Sequence, residues 1–174
     1  MATPPPTSAI PRLSRETILD LMTYDPETGV FLWNKSRKGS AQAGCVVGYL
    51  HESGYWKVNI GKKPYMCHLL AWFVTYGEWC PGQIDHINRD KTDNRIENLR
   101  KATLSQNSAN KPTRGNKYGV PGVYRSAKTR DGHYCSHIRV QGEAIYLGTF
   151  PSLEEAAAAY RAAARHHFGE FSPV

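Results

Sequence analysis

The sequence predicts an α+β fold built from small units. These are an antiparallel sheet near the N-terminus, a core over residues 67–111, and a C-terminal three-stranded sheet packed on one helix. Three observations lead there. Short β-prone runs between residues 30 and 60 are separated by clusters of Gly, Ser, Lys and Asn, as hairpin strands usually are. One apolar segment of helical length, His68 to Tyr76, stops at Gly77, where a helix-terminating glycine is expected. Towards the C-terminus three further β-runs lead into Ser152-Leu153-Glu154-Glu155, which has the form of a capping box.

Taken in order, Thr3 to Ser8 is proline-rich, and residues 1–13 read as a disordered tail. Ser14-Arg15-Glu16-Thr17 then opens a helix whose apolar face is Ile18, Leu19, Leu21 and Met22. It ends by Tyr24-Asp25-Pro26-Glu27-Thr28-Gly29, where proline presets one dihedral and glycine permits a positive one. Strands are expected at Val30–Trp33, Cys45–Leu50 and Tyr55–Ile60, completing an N-terminal helix and antiparallel β region over 14–66. The core at 67–111 is followed by a basic linker at 112–120. In the last unit, 121–174, strands near 121–126, 133–140 and 143–149 precede a helix from Ser152 to Phe168.

Charge narrows the partner. Lys and Arg outnumber Asp and Glu by 22 to 15. Residues 89 to 130 hold eleven basic side chains, Arg89, Lys91, Arg95, Arg100, Lys101, Lys111, Arg114, Lys117, Arg125, Lys128 and Arg130, against three acidic ones. Such a field favours a polyanion, although membranes and acidic proteins also attract basic domains. Cys45, Cys67, Cys80 and Cys135 show no C-x-x-C pairing or regular spacing, so they read as reduced thiols rather than a zinc ribbon or disulfide framework. With no apolar run near a membrane span and no signal-peptide pattern, a soluble cytoplasmic monomer is expected.

Chemistry concentrates in Ile84-Asp85-His86-Ile87-Asn88-Arg89-Asp90-Lys91-Thr92-Asp93-Asn94-Arg95-Ile96-Glu97-Asn98-Leu99-Arg100 and the following Thr103-Leu104-Ser105-Gln106-Asn107. A phosphodiester hydrolase needs a base to activate water and a cation to neutralise charge developing on phosphate. Histidine suits the base, since its ordinary pKa of about 6.5 leaves it largely proton-accepting at neutral pH. Asp85 and Asn107 offer hard oxygen donors, better matched to magnesium or manganese than to zinc. Strand alternation would send Asp85 and His86 to opposite faces, so the pair works together only where the strand ends and the backbone bends. Thr103 to Gln106 has the form of a capping box that places Asn107 in a helix's first turns. Asp and Asn are also ordinary turn residues, and these residues alone leave the loop reading open.

Residues from about Tyr24 to Asn110 resemble the HNH homing endonucleases, a branch of the ββα-metal nucleases. The resemblance rests on I-D-H-I-N-x-D-x-x-D-N-R-x-x-N-L-R and the trailing Gln106, Asn107 and Asn110. It implies a central ββα-metal core in which His86 is the general base and Asp85 and Asn107 bind one Mg2+ or Mn2+ ion per active site. Asn98 would hold and polarise the histidine from the loop. Many family members end the motif in histidine where this chain has Asn107, as phage-type members also do, which argues further against zinc. Asp90, Asp93, Asn94 and Arg95 read as loop-bracing residues. His68 reads as structural, the four tryptophans as core, and His166 and His167 as packing or helix-dipole residues.

The last unit is similar to the DNA-binding domain of plant ethylene-responsive transcription factors. The similarity is carried by Gly122-Val123-Tyr124, Ile138-Arg139, Tyr146-Leu147-Gly148-Thr149-Phe150 and Glu154 to Tyr160. Alternation puts Val123, Ile138, Val140, Ile145 and Leu147 on the inner face and Tyr124, Ser126, His137, Arg139 and Tyr146 on the outer one, with Ala156, Ala157, Ala163 and Ala164 bringing the helix close. In the plant family that outer face enters the major groove. Here Pro121, Tyr124 and Ala144 stand where those proteins usually carry arginine, which implies a different base readout.

The function expected is metal-dependent, site-specific cleavage of duplex DNA. Its DNA-contacting residues would be Lys35, Arg37, Lys38, Arg95, Arg100, Lys111, Arg114, Lys117, Tyr124, Arg125, Lys128, Arg130, His137, Arg139 and Tyr146. A catalytically silent DNA-binding regulator is the alternative, and an RNA-binding protein or RNA nuclease ranks behind it.

Overall fold

Ser14 starts the first helix by accepting a hydrogen bond from the Thr17 amide, and α1 runs from Arg15 to Leu21 with Ile18 buried beneath it. The computed structural model describes residues 13–37, 41–110, 117–126 and 132–172. Lys38, Lys111, Arg114, Lys128 and Arg130, together with the N-terminal stretch to residue 12, lie outside them. Two compact units emerge, residues 1–101 and 102–174.

In the first unit the chain turns extended one residue earlier than the helical pattern suggests. Met22 belongs to β1 (Met22–Asp25), antiparallel to β2 (Val30–Trp33), with Met22 opposite Trp33. Ladder pairing and complete burial of Met22 outweigh its helical preference, which is worth only tenths of a kcal/mol, roughly. The strand expected at Cys45–Leu50 shrinks to β3 (Tyr49–Leu50), preceded by a bridge between Val46 and Leu32. Gly48 breaks the run. Its φ is +95°, and a Cβ there would lie 2.5 Å from the Lys57 carbonyl oxygen, so the position demands glycine and an irregular backbone.

β3, β4 (Trp56–Ile60) and β5 (Lys63–Met66) form an antiparallel sheet in that order. The sequence does not announce β5, because Pro64 weakens its strand signal; on an edge strand the missing N–H is harmless. The chain passes directly into α2 (Cys67–Tyr76), closed by Gly77 in the left-handed conformation as expected. Leu70, Ala71, Phe73 and Val74 of this helix join Ile18, Met22, Phe31, Val58 and Ile84 in one core. Trp33 is buried there, and Trp56, Trp72 and Trp79 pack against it.

β6 (Gln83–His86) and β7 (Leu99–Ala102) pair in a two-stranded sheet, with a 3-10 turn at Ile96–Asn98 leading into β7.

In the second unit, α3 (Leu104–Ala109) opens on the expected capping box, with Thr103 and Gln106 each satisfying the other's backbone amide. β8 (Val123–Arg125), β9 (Tyr134–Val140) and β10 (Glu143–Phe150) make an antiparallel sheet in the order β10-β9-β8, bulged between Tyr146 and Gly148. α4 (Leu153–Phe168) packs on it through Ala156, Tyr160 and Ala164 against Val123 and Ile138. Ser152 caps α4 by accepting from the Glu155 amide, and its hydroxyl donates to the Glu155 carboxylate. One inner-face expectation is corrected: Ile145 shares a face with its partner Ile138, yet is 38% exposed because β10 is an edge strand that α4 leaves partly uncovered.

Candidate active site

Asp85 and His86 are the last two residues of β6, and the chain bends immediately after them, with Arg89 at a φ of +66°. The bend permits what strict alternation would forbid. Both side chains are interior, each 5% exposed, because each is covered by a different group of neighbours.

For Asp85 the neighbour is Arg100 on the paired strand β7. Arg100 Nε donates to Asp85 Oδ2 at 2.9 Å, and both side chains are largely buried. Burying a carboxylate alone is costly, and this guanidinium supplies the compensating charge. Arg100, one of the expected DNA contacts, thus has the acid as a partner within the protein.

The neighbours of His86 include two aromatic rings and an amide. The His68 ring lies 5.1 Å away, nearly perpendicular, and the Tyr55 ring 5.9 Å away. Asn94 Oδ1 stands 3.2 Å from His86 Nε2. An amide oxygen can only accept, so the ring nitrogen facing it carries the proton and Nδ1 keeps the basic lone pair. Burial lowers the His86 pKa, and the Asn94 hydrogen bond and the Asp85, Asp93 and Asp90 charges only partly oppose it. A neutral imidazole with a defined basic nitrogen results. His68 is pushed down to about 3, first by burial and then by His86, and its Nδ1 has no hydrogen-bond partner among the described residues.

The loop between β6 and β7 is internally braced. Asn98 Oδ1 accepts from the Asn88 amide, while its Nδ2 donates to Asn88 Oδ1 and to the Asp93 carbonyl. Its backbone carbonyl receives the Ile87 amide, next to His86. Asn98 therefore fixes the loop, and the residue that accepts the hydrogen bond of the ring is Asn94, whose sequence position suggests loop bracing alone. Arg95 forks onto Asp93 and reaches Glu97, holding the Asp93 carboxyl down at about 2. Tyr24 of β1 donates to the Asn94 carbonyl at 2.7 Å, and the Ile96 amide donates to the Pro26 carbonyl. The N-terminal hairpin thus anchors the segment that positions Asn94.

Asn107 lies on α3 in the second unit, its amide bonded to the Thr103 carbonyl. Among the described residues no three His, Cys, Asp or Glu side chains gather as a metal cluster. Taken singly, the Asp85 carboxylate and the Asn107 amide are each hard oxygen donors, of the kind magnesium takes and a closed zinc site does not.

The expected outer face of the C-terminal sheet is present within its unit. Tyr124 stacks on His137 at 5.2 Å and its hydroxyl lies 2.7 Å from His137 Nδ1. Tyr146 packs on the other side of His137 at 4.9 Å, and exposed Arg139 follows along the strand. Lys35 pairs with Asp20, Arg37 lies over the Trp33 ring, and Lys117 over Tyr118.

Residues 65–109 match the HNH endonuclease family. Over 127 residues, 71% of this chain, the sequence is 34% identical to an uncharacterised HNH endonuclease of Acanthamoeba polyphaga mimivirus. The match spans 64% of that protein's length. Residues 65–109 are thus similar to HNH endonucleases, and the described helices include none long and apolar enough to cross a membrane.

Proposed function

We propose that this HNH domain makes the protein a metal-dependent, site-specific endonuclease of the homing type, acting on duplex DNA. The observation that carries the reading is the state of His86: neutral, buried and oriented by Asn94 so that Nδ1 is the basic nitrogen. A positioned imidazole of this kind can take the proton of a water attacking a phosphodiester, leaving its ring as imidazolium beside the Asp85 charge. Asn98 contributes indirectly by keeping the loop from relaxing around the base.

Asp85 and, from its place in the motif, Asn107 would hold one Mg2+ or Mn2+ ion. When bound, such an ion neutralises charge developing on the phosphate. Arg100 keeps the Asp85 carboxylate oriented. The second unit would supply addressing through Tyr124, His137, Arg139 and Tyr146, with Arg125 and Lys117 as further cationic contacts. A surplus of seven positive charges favours the polyanion.

Supercoiled plasmid incubated with the protein and magnesium tests the reading directly. Conversion to nicked or linear DNA is expected, blocked by chelator and reduced about a hundredfold to ten-thousandfold in His86→Ala, with DNA affinity nearly unchanged. Wild-type turnover in that variant would overturn the role of His86. Intact plasmid at all metal concentrations would favour the second reading, a DNA-binding regulator.

A further inference from the structure

We propose that Tyr55 is a substrate-contacting residue of this site, its phenol donating a hydrogen bond to the DNA phosphate brought to His86, with Lys91 supporting it from the ring face. The inference rests on the nuclease reading above and adds two residues to it. Neither stands out in the sequence, where Tyr55 reads as an aromatic at the start of a strand and Lys91 as a loop cation.

Tyr55 lies just before β4, and its ring faces both histidines, 5.2 Å from His68 and 5.9 Å from His86. It is half-buried, no hydrogen bond of its hydroxyl is found among the described residues, and that oxygen is not one of the enclosed polar atoms, so it reaches solvent. Tyrosine suits a place where one end is apolar and the other wet. This one is anchored by its ring against the two histidines and keeps its donor open to an incoming group. Burial and the Asp85 charge both raise its pKa, so at neutral pH it remains a proton donor.

Lys91 comes from the same β6–β7 loop that carries Asn94. Its Nζ sits 4.5 Å from the Tyr55 ring centroid and donates to the Ser53 carbonyl at 3.0 Å. A cation over the ring face withdraws electron density and strengthens the phenol as a donor. It also adds positive charge to the β6–β7 loop, where Asp90 stands one residue before it. A phosphodiester approaching His86 Nδ1 must come close to the His86 ring, and Tyr55 is the neutral donor packed against that ring.

The full-length protein tests this with Tyr55→Phe, which keeps the ring contacts and removes only the hydroxyl, and with Lys91→Met, which keeps the stem and removes the charge. Plasmid cleavage by Tyr55→Phe is expected to slow at least tenfold at an unchanged melting temperature. Lys91→Met is expected to slow it less in the wild-type background and hardly at all once Tyr55 is Phe, because the cation acts through the phenol. In a His86→Ala background, Tyr55→Phe should weaken binding of a short duplex several-fold. Wild-type cleavage and binding by Tyr55→Phe, or a loss matched by a fall in melting temperature, would overturn the proposal. A wild-type protein that cuts nothing overturns the nuclease reading, and the binding measurement still decides whether Tyr55 meets DNA.

Discussion

Two histidines in contact, His68 and His86, are held neutral by burial, and only one has an acceptor fixing its tautomer. His68 lies wholly inside the packing with Nδ1 unpartnered, so protonating it would bury an uncompensated charge. Its folded-state pKa of about 3 lies below the unfolded value of about 6.5. The unfolded chain therefore binds the proton first as pH falls, and the stability this neutral residue contributes is present above pH 6.5 and lost progressively towards pH 3. Urea unfolding between pH 6 and pH 4 should show a component of up to about 1.4 kcal/mol per pH unit that disappears in His68→Leu. An identical slope in both proteins would show that His68 opens to solvent. Asn94→Ala, by contrast, should leave stability closer to wild type and lower turnover, because it frees the ring of His86 without removing the base.

Among the elements, the β1–β2 hairpin bears most directly on the site. Gly29 at its turn has a φ of +73°, and a Cβ there would fall 2.4 Å from the Arg95 amide nitrogen and 2.5 Å from the Asn94 carbonyl carbon. The hairpin and the loop behind His86 are thus backbone against backbone at Asn94. Gly29→Ala should cost more than about 1 kcal/mol in stability through the positive φ and the clash together, and should depress turnover further than that loss explains. A variant stable but fully active would show that the loop tolerates displacement. Helix ends and motif placement were legible in the sequence because they follow local rules: Ser14, Thr103 and Ser152 cap where expected, and Gly77 stops α2. Asp85 and His86 could be singled out because the acid–base pair is contiguous. Asn94 and His68 were legible only as bracing and structural residues and Tyr55 only as a strand aromatic, since their contacts with His86 span about 8, 18 and 31 residues of chain, and no local pattern encodes such contacts. The early end of α1 and the loss of strand at Cys45–Val47 have the same origin, long-range pairing and close approach overriding local preference.

Across the whole molecule, charge and chemistry are distributed over two compact units, residues 1–101 and 102–174. The division at 101/102 leaves α3, and Asn107 with it, in the second unit. Within that unit Ala102 is part of the core formed by Val123, Ile138, Tyr160, Phe168 and Phe171, and Ala109 packs against it. The Gln141 amide also donates to Ser105 Oγ. A fragment beginning at residue 117 would expose that core, whereas one beginning at residue 102 keeps it. We therefore expect residues 102–174 to unfold cooperatively at a higher temperature than residues 117–174, by circular dichroism. The longer fragment should bind duplex DNA with strong salt dependence and without cleavage, because Asp85 and His86 are absent. In it, Arg139→Ala should cost about 1 to 3 kcal/mol on particular sequences if the guanidinium reads a guanine. A uniform loss on all sequences, with a shallower salt dependence, would identify a phosphate contact instead. A folded 102–174 fragment with no salt-sensitive affinity for duplex DNA would remove addressing from this unit and leave DNA recognition to residues 1–101.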